Sequence, residues 1–284
     1  MNSLYFITYN LDGGDGRDVW PWTDPDQRAR FDVSKLAQWE IVFSHMDRLG
    51  IQLHFLLQET ENDRGLDGGA LGPTRHLYLR EMVARFGHHL ALTWNLGEEN
   101  TNTDGERQDF AAFIRELDPY NHPIVVHTFP GAYDRIYTPL LGFAAFEGPS
   151  LQTNDTHTQT LRWRERSAAA GRPWIVSLDE IGPARDGVVP DSVDPGHDTV
   201  RRDHLWGNPM AGGAGVEWYF GFSNPNSDLN LEDFRSRDAL WDQTRIALGF
   251  FQRELPFITM GPLDQASSDP EDYVFADPGV VCAV

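Results

Sequence analysis

Strand-like apolar runs alternating with helical ones predict parallel β-α-β units, and their number and order predict a (β/α)8 TIM barrel rather than an open sheet. Three observations carry this. Seven strand-like runs precede one long closing helix. Acids, amides and aromatics collect just after nearly every one of those runs, where such barrels place their working groups. The early "GGDG" lies in a loop and is not the G-x-G-x-x-G of an open nucleotide-binding sheet.

The elements follow in order. Leu4–Tyr9 is β-rich and ends in Asn10. Ser34–Leu49 carries Leu36, Trp39, Ile41, Val42, Phe43 and Met46 at helical spacing, with Asp32 or Ser34 as cap and Gly50 as stop. Ile51–Leu57 is a strand running into "QETEND", which holds Gln58 and Glu61. Thr74–Phe86 is a helix closed by Gly87. Leu90–Leu96 is a strand leading into "NLGEEN", and Gln108–Leu117 a helix ended by "DPYNHP". Ile124–Thr128 is a strand carrying His127, and Phe143–Phe146 a further strand before "FEGPSLQ" and its Gln152. His157–Ala170 is a helix stopped by Gly171. Trp174–Leu178 and Gly215–Tyr219 are strands entering "SLDEIG" and "VEWYFG", and Phe234–Phe251 is the closing helix. Residues 252–284 turn to Pro, Asp and short β runs, as a linker entering something else would.

Composition excludes several classes. The 284 residues, 40% hydrophobic, suffice for one large core. A formal charge of −20 excludes a nucleic-acid backbone as partner. Cys282 is the only cysteine, so no intrachain disulfide or cysteine metal cluster can form. The longest apolar runs fall far short of a membrane span. "MNSLYFITYN" lacks the basic region and cleavage site of a signal peptide and reads as the interior of a folded domain.

The acid pairs carry the chemistry. Side chains alternate along a strand, so Leu92, Trp94 and Leu96 share the helix-facing side and Thr93, Asn95 and Gly97 the inner one. Continuing the alternation turns Glu99 inward and Glu98 sideways. In "WIVSLDEIG", strict alternation selects Asp179, whereas a bulge at the strand end selects Glu180; the pattern leaves both open. Two carboxylates from different strand ends facing one pocket suit glycoside hydrolysis, one donating a proton and one attacking or activating water. Trp20, Trp22, Trp206, Trp218 and Tyr219 offer flat faces to sugar rings, with core packing an equal reading for Trp22 and Trp218. Asn10, Glu61, His127, Gln152, Glu217 and Trp218 sit at strand ends and are candidate sugar contacts, balanced against hydrogen bonding between neighbouring ends.

Metal chemistry has less support. His54, His88, His89, His127, His157, His197 and His204 show no H-E-x-x-H or comparable spacing, and His88–His89 follows a helix stop as a capping or packing feature. "GGDGRD" and "SDLNLEDFRSRD" are acid-rich but do not fit an EF-hand. No cofactor or metal is expected.

"TWNLGEEN" resembles the fourth-strand motif of clan A retaining glycoside hydrolases, notably the "W-S-L-G-N-E" of β-galactosidase type. The resemblance implies Glu99 as acid/base and Glu180, in "SLDEIG", as nucleophile. Glu98 stands where an asparagine contacts the sugar 2-hydroxyl, a departure, since a carboxylate accepts but does not donate. More closely, "YFITYN", "DVWPW", "ARFGHH", "LDPYNHP", "SLQ", "DEIGPA" and "AGGAGVEWYFG" are similar to a bacterial family of apiosidase-like clan A proteins whose label names a collagen-binding domain. That resemblance implies secreted or periplasmic polysaccharide degradation. In its register only two strands precede "NLGEEN" where three belong. The expectation is therefore a fragment: residues 1–255 as a barrel lacking its first strand, and 256–284 as a linker and the opening strands of a β-sandwich. The alternative function is a carbohydrate-binding or structural module that has lost catalysis.

Overall fold

The computed structural model describes the chain except residues 1, 14–17, 225 and 228–232. Most of "GGDGRD" and part of "SDLNLEDFRSRD" thus lie outside the described residues. Strands and helices alternate: β1 Ser3–Ile7, α1 Val33–Leu49, β2 Gln52–Leu56, α2 Pro73–Phe86, β3 Leu92–Asn95, α3 Asp104–Leu117, β4 Ile124–Thr128, the short α4 Tyr133–Tyr137 and β5 Gly148–Gln152. Then come α5 Thr156–Ala169, β6 Ser177–Glu180, the short α6 Gly207–Met210, β7 Gly215–Val216 and α7 Asp238–Arg253. The seven strands form one sheet in chain order, β1 to β7, paired parallel wherever register is defined. This is the (β/α)8 barrel class, with seven strands among the described residues. Three further strands, β8 Gly261–Pro262, β9 Val274–Ala276 and β10 Val281–Ala283, make a small antiparallel sheet. The chain divides into two compact units, Asn2–Ser150 and Leu151–Val284.

In the first unit the alternation places side chains as the sequence predicts. Register aligns Phe6, Phe55 and Trp94 on one face and Tyr5, His54 and Thr93 on the other. The first row packs on the helices: Phe55 lies 5.7 Å from Phe43, 5.5 Å from Phe86 and 5.1 Å from Trp94, ring centre to ring centre. Asp32 caps α1 by accepting from Lys35 N, and Gly50 ends it at φ +69°, a conformation glycine adopts without a Cβ penalty. Thr103 and Glu106 form a reciprocal capping box at the start of α3.

Two strand expectations need correction. Phe143–Phe146 forms turns, and the strand is Gly148–Gln152, buried throughout. A fully buried strand shows no alternation, and its proline sits near the start, where a missing N–H costs little. The second-unit strand expected at Trp174–Leu178 begins at Ser177 and reaches Glu180. A π-helical turn at Val200–Trp206, running into α6, was not anticipated. No helix among the described residues is long and apolar enough to cross a membrane.

Candidate active site

In the first unit, the segment after β3 is pinned on both sides. Glu98 N donates to Gln58 O at 3.0 Å after β2, while His127 N donates to Gly97 O and Asn100 N to His127 O, both at 3.2 Å, on the β4 side. A Cβ on Gly97 would stand 2.7 Å from Asn100 Nδ2 and 3.1 Å from Gln58 Cγ, so only glycine fits there. The backbone then turns through Glu99 at φ +41°, a left-handed conformation uncommon for a residue with a side chain. Regular alternation therefore stops at the strand end. Glu98 is 6% exposed, and one of its carboxylate oxygens lies within 4.8 Å of a His127 ring nitrogen. Glu99 is half-buried.

A buried polar network holds this turn from behind. Gln58 Nε2 donates to Asp63 Oδ1 at 2.9 Å and to Asn102 Oδ1 at 2.6 Å. Asp63 Oδ2 accepts from Thr101 N and Oγ1, each at 2.6 Å. Arg75 of α2 donates to Gln58 Oε1, Asp63 O and Leu66 O, its guanidinium lying over the Phe110 ring. Burial pushes the Asp63 carboxyl up, against the opposing pull of the Thr101 bonds and Arg75. Burial likewise pulls the Arg75 guanidinium down. Desolvation is tolerated here because nearly every lone pair and N–H has a partner. Asp63 is visible in "QETEND", but Arg75, inside a helical pattern, gave no sequence signal.

The other first-unit candidates separate clearly. Asn10 is fully buried and its Oδ1 accepts from Asn62 Nδ2 at 2.9 Å, a bond between neighbouring loops. Asn95 Nδ2 lies 3.0 Å from His54 Nε2 and donates to Ser150 Oγ at 3.2 Å on the inner face. Glu61 is exposed. Trp22 is wholly buried against Tyr9, Phe31 and Tyr78, which is the packing reading and leaves no face for a sugar. Trp20 is half-buried with Lys35 Nζ 4.4 Å above its ring.

In the second unit, Gln152 ends β5, and Thr153 N donates to Glu180 O at 3.1 Å. Glu217 N donates to Leu178 O at 2.7 Å, carrying the ladder past β7. Asp179 and Glu180 are both buried, at 7% and 2% exposed. A carboxylate oxygen of Asp179 lies within 4.8 Å of one of Glu217, which is half-buried. Trp218 is half-buried with its Nε1 donating to Thr244 Oγ1, Tyr219 is buried, and Trp206 packs on Phe250 and Phe251.

No protein-family model and no curated protein sequence matches the chain. Solved structures do. A Bacteroides vulgatus ATCC 8482 protein assigned to the glycoside hydrolases superposes with TM-score 0.68 at 17% identity, over 99% of this chain and 56% of its own. A family 5 glycoside hydrolase from the same organism gives 0.61 at 14%, over 87% and 60%. A Pseudomonas stutzeri endoglucanase in complex with cellobiose gives 0.53 at 12%, over 86% and 80%. The chain thus spans less than two-thirds of the first two structures. At these identities the shared property is the fold, and it is the barrel fold of glycoside hydrolases.

Proposed function

We propose that this chain is the catalytic portion of a glycoside hydrolase that cleaves oligo- or polysaccharide with retention, using Glu180 as nucleophile and a carboxylate of the Glu98–Glu99 pair as acid/base. The observation that carries the reading is the placement of buried carboxylates at the C-terminal ends of β3 and β6, strands of one parallel sheet, in a fold shared with glycoside hydrolases. That end of the strands is where such barrels hold their catalytic groups. In the reaction, the protonated acid gives its proton to the glycosidic oxygen while the Glu180 carboxylate bonds to the anomeric carbon and the leaving group departs. The same first carboxylate, now ionised, takes a proton from water, whose oxygen displaces Glu180.

Sequence alternation and family resemblance name Glu99 as the acid/base. Burial beside His127 brings Glu98 forward as the second candidate for that role, since a general acid works from a desolvated carboxyl. The similarity of "LDPYNHP" and "AGGAGVEWYFG" to apiosidase-like clan A proteins supports export and polysaccharide as substrate. Glu180→Ala should abolish turnover of an aryl glycoside, with azide restoring a product of inverted configuration. Normal turnover in that variant would sink the mechanism. Glu98→Gln and Glu99→Gln, compared on substrates with good and poor leaving groups, identify the acid: its loss slows poor leaving groups by about 10²–10⁴-fold and spares activated ones. Glycan affinity without turnover in the unaltered chain would favour a binding module.

A further inference from the structure

We propose that Glu40, His88 and His89 form a binding site for a zinc-like divalent cation, at the opposite end of β3 from the Glu98–Glu99 pair. Glu40, Phe43 and Asp47 lie at positions i, i+3 and i+7 of α1 and so share one face of the helix. His88 and His89 form the turn between α2 and β3 and come down on that face. One ligand atom each from Glu40, His88 and His89 lies within 4.8 Å of the others. His88 Nε2 is 3.4 Å from Glu40 Oε1 and His89 Nε2 is 3.1 Å from Glu40 Oε2. Neighbouring vertices of a tetrahedron with ligand bonds of about 2.0–2.1 Å lie about 3.3 Å apart, so these groups already stand at coordinating separation.

The wiring of His89 is the second observation. Its side chain is fully buried, with its ring edge-on to Phe43 at 5.9 Å. Its Nδ1 lies 2.6 Å from Asp47 Oδ2 and donates its N–H there. Its Nε2 edge faces a Glu40 carboxylate oxygen at 3.1 Å, and a cation between them would be ligated by both. A carboxylate bonded to the far nitrogen of a ligating histidine is the usual outer support of a zinc site, fixing the tautomer and raising ring basicity. Ser44 Oγ donates to Glu40 Oε1 at 2.8 Å and supports the second ligand in the same way. His88, with 53% of its side chain exposed, leaves the remaining position open to water. The nitrogen and oxygen donors suit Zn²⁺, Co²⁺ or Ni²⁺ rather than Ca²⁺.

The test is titration of the chelator-treated 284-residue chain with Co²⁺, read by visible absorption, and with Zn²⁺, read by calorimetry. The expected result is one equivalent that is lost in both His88→Ala and His88→Asn, whose exposed position leaves folding intact by circular dichroism. Asp47→Ala should weaken that equivalent about 10–100-fold. Absence of binding to the unaltered chain overturns the proposal. So does binding of equal stoichiometry and affinity in the His88 variants, which would place the cation elsewhere.

Discussion

Replacing Asp118 with alanine should be among the most damaging single changes in the first unit. Asp118 follows α3, its side chain is fully buried, and four donors converge on it. Oδ1 accepts from Tyr120 N at 3.0 Å; Oδ2 accepts from His122 N and His122 Nδ1, both at 2.9 Å, and from Trp94 Nε1 at 3.2 Å. Tyr120 is exposed and its amide can turn to water, but Trp94 and His122 are buried. Two or three donors are left without acceptors, each costing about 1–3 kcal/mol, so the total comes to about 3–6 kcal/mol. At about 2–4 °C per kcal/mol for a chain approaching this size, the midpoint falls by roughly 6–24 °C. Asp118→Asn should cost only about 1–2 kcal/mol. Its amide oxygen can serve the three donors on one side while the NH₂ meets the hydratable Tyr120 N–H. Burial pushes the Asp118 carboxyl up, yet the Tyr120 and His122 bonds and the imidazole outweigh it and hold it below the ordinary value. A depressed carboxyl contributes stability above the unfolded-state value near 3.8, and that contribution is lost as pH falls through the folded-state value. Thermal unfolding by far-UV circular dichroism at pH 7 and pH 3 measures both effects. An alanine variant within 1 kcal/mol of the parent, or equal to the asparagine variant, refutes the reasoning.

Two further changes follow from the packing and titration of single residues. Phe55→Ala empties the space between Phe6, Phe43, Phe86 and Trp94 and should cost about 3–5 kcal/mol, read from the urea midpoint with an unchanged slope. His204 is buried with its Nδ1 2.6 Å from Thr156 Oγ1, and burial pushes it down to about 4. The unfolded chain therefore binds this proton first as pH drops below about 6.5, so stability falls between there and pH 4, by about 3 kcal/mol in all. His204→Gln should flatten that part of the profile, and an unchanged slope would show that His204 does not carry it.

What the sequence made legible was whatever repeats with a period or ends with a cap. The face bearing Phe6, Phe55 and Trp94 follows from two-residue alternation, and α1 is bounded by residues whose capping chemistry is local. Gly148–Gln152 was missed because a strand buried on both faces has no period to read, while the apolar "FAAF" before it imitates one. Val200–Trp206 was missed because its charged residues obscure any helical stripe. Arg75 reaches Asp63 and Gln58, 12 and 17 residues away, and Asp118 reaches Trp94, 24 residues away, relations no local pattern contains.

The same limit explains the acid pair. Alternation is a property of a regular extended backbone, and it selected Glu99 only by being carried past the strand's last residue, Asn95. Beyond that point the chain is shaped by contacts from elsewhere: the clash that makes position 97 glycine comes from Asn100 and Gln58, and the network holding residues 100–102 is anchored on α2 through Arg75. The left-handed turn at Glu99 is the local cost of that arrangement, of order 1–2 kcal/mol for a residue with a Cβ. The residue before it, Glu98, is buried beside His127, and the turn that ends the alternation is what places it there.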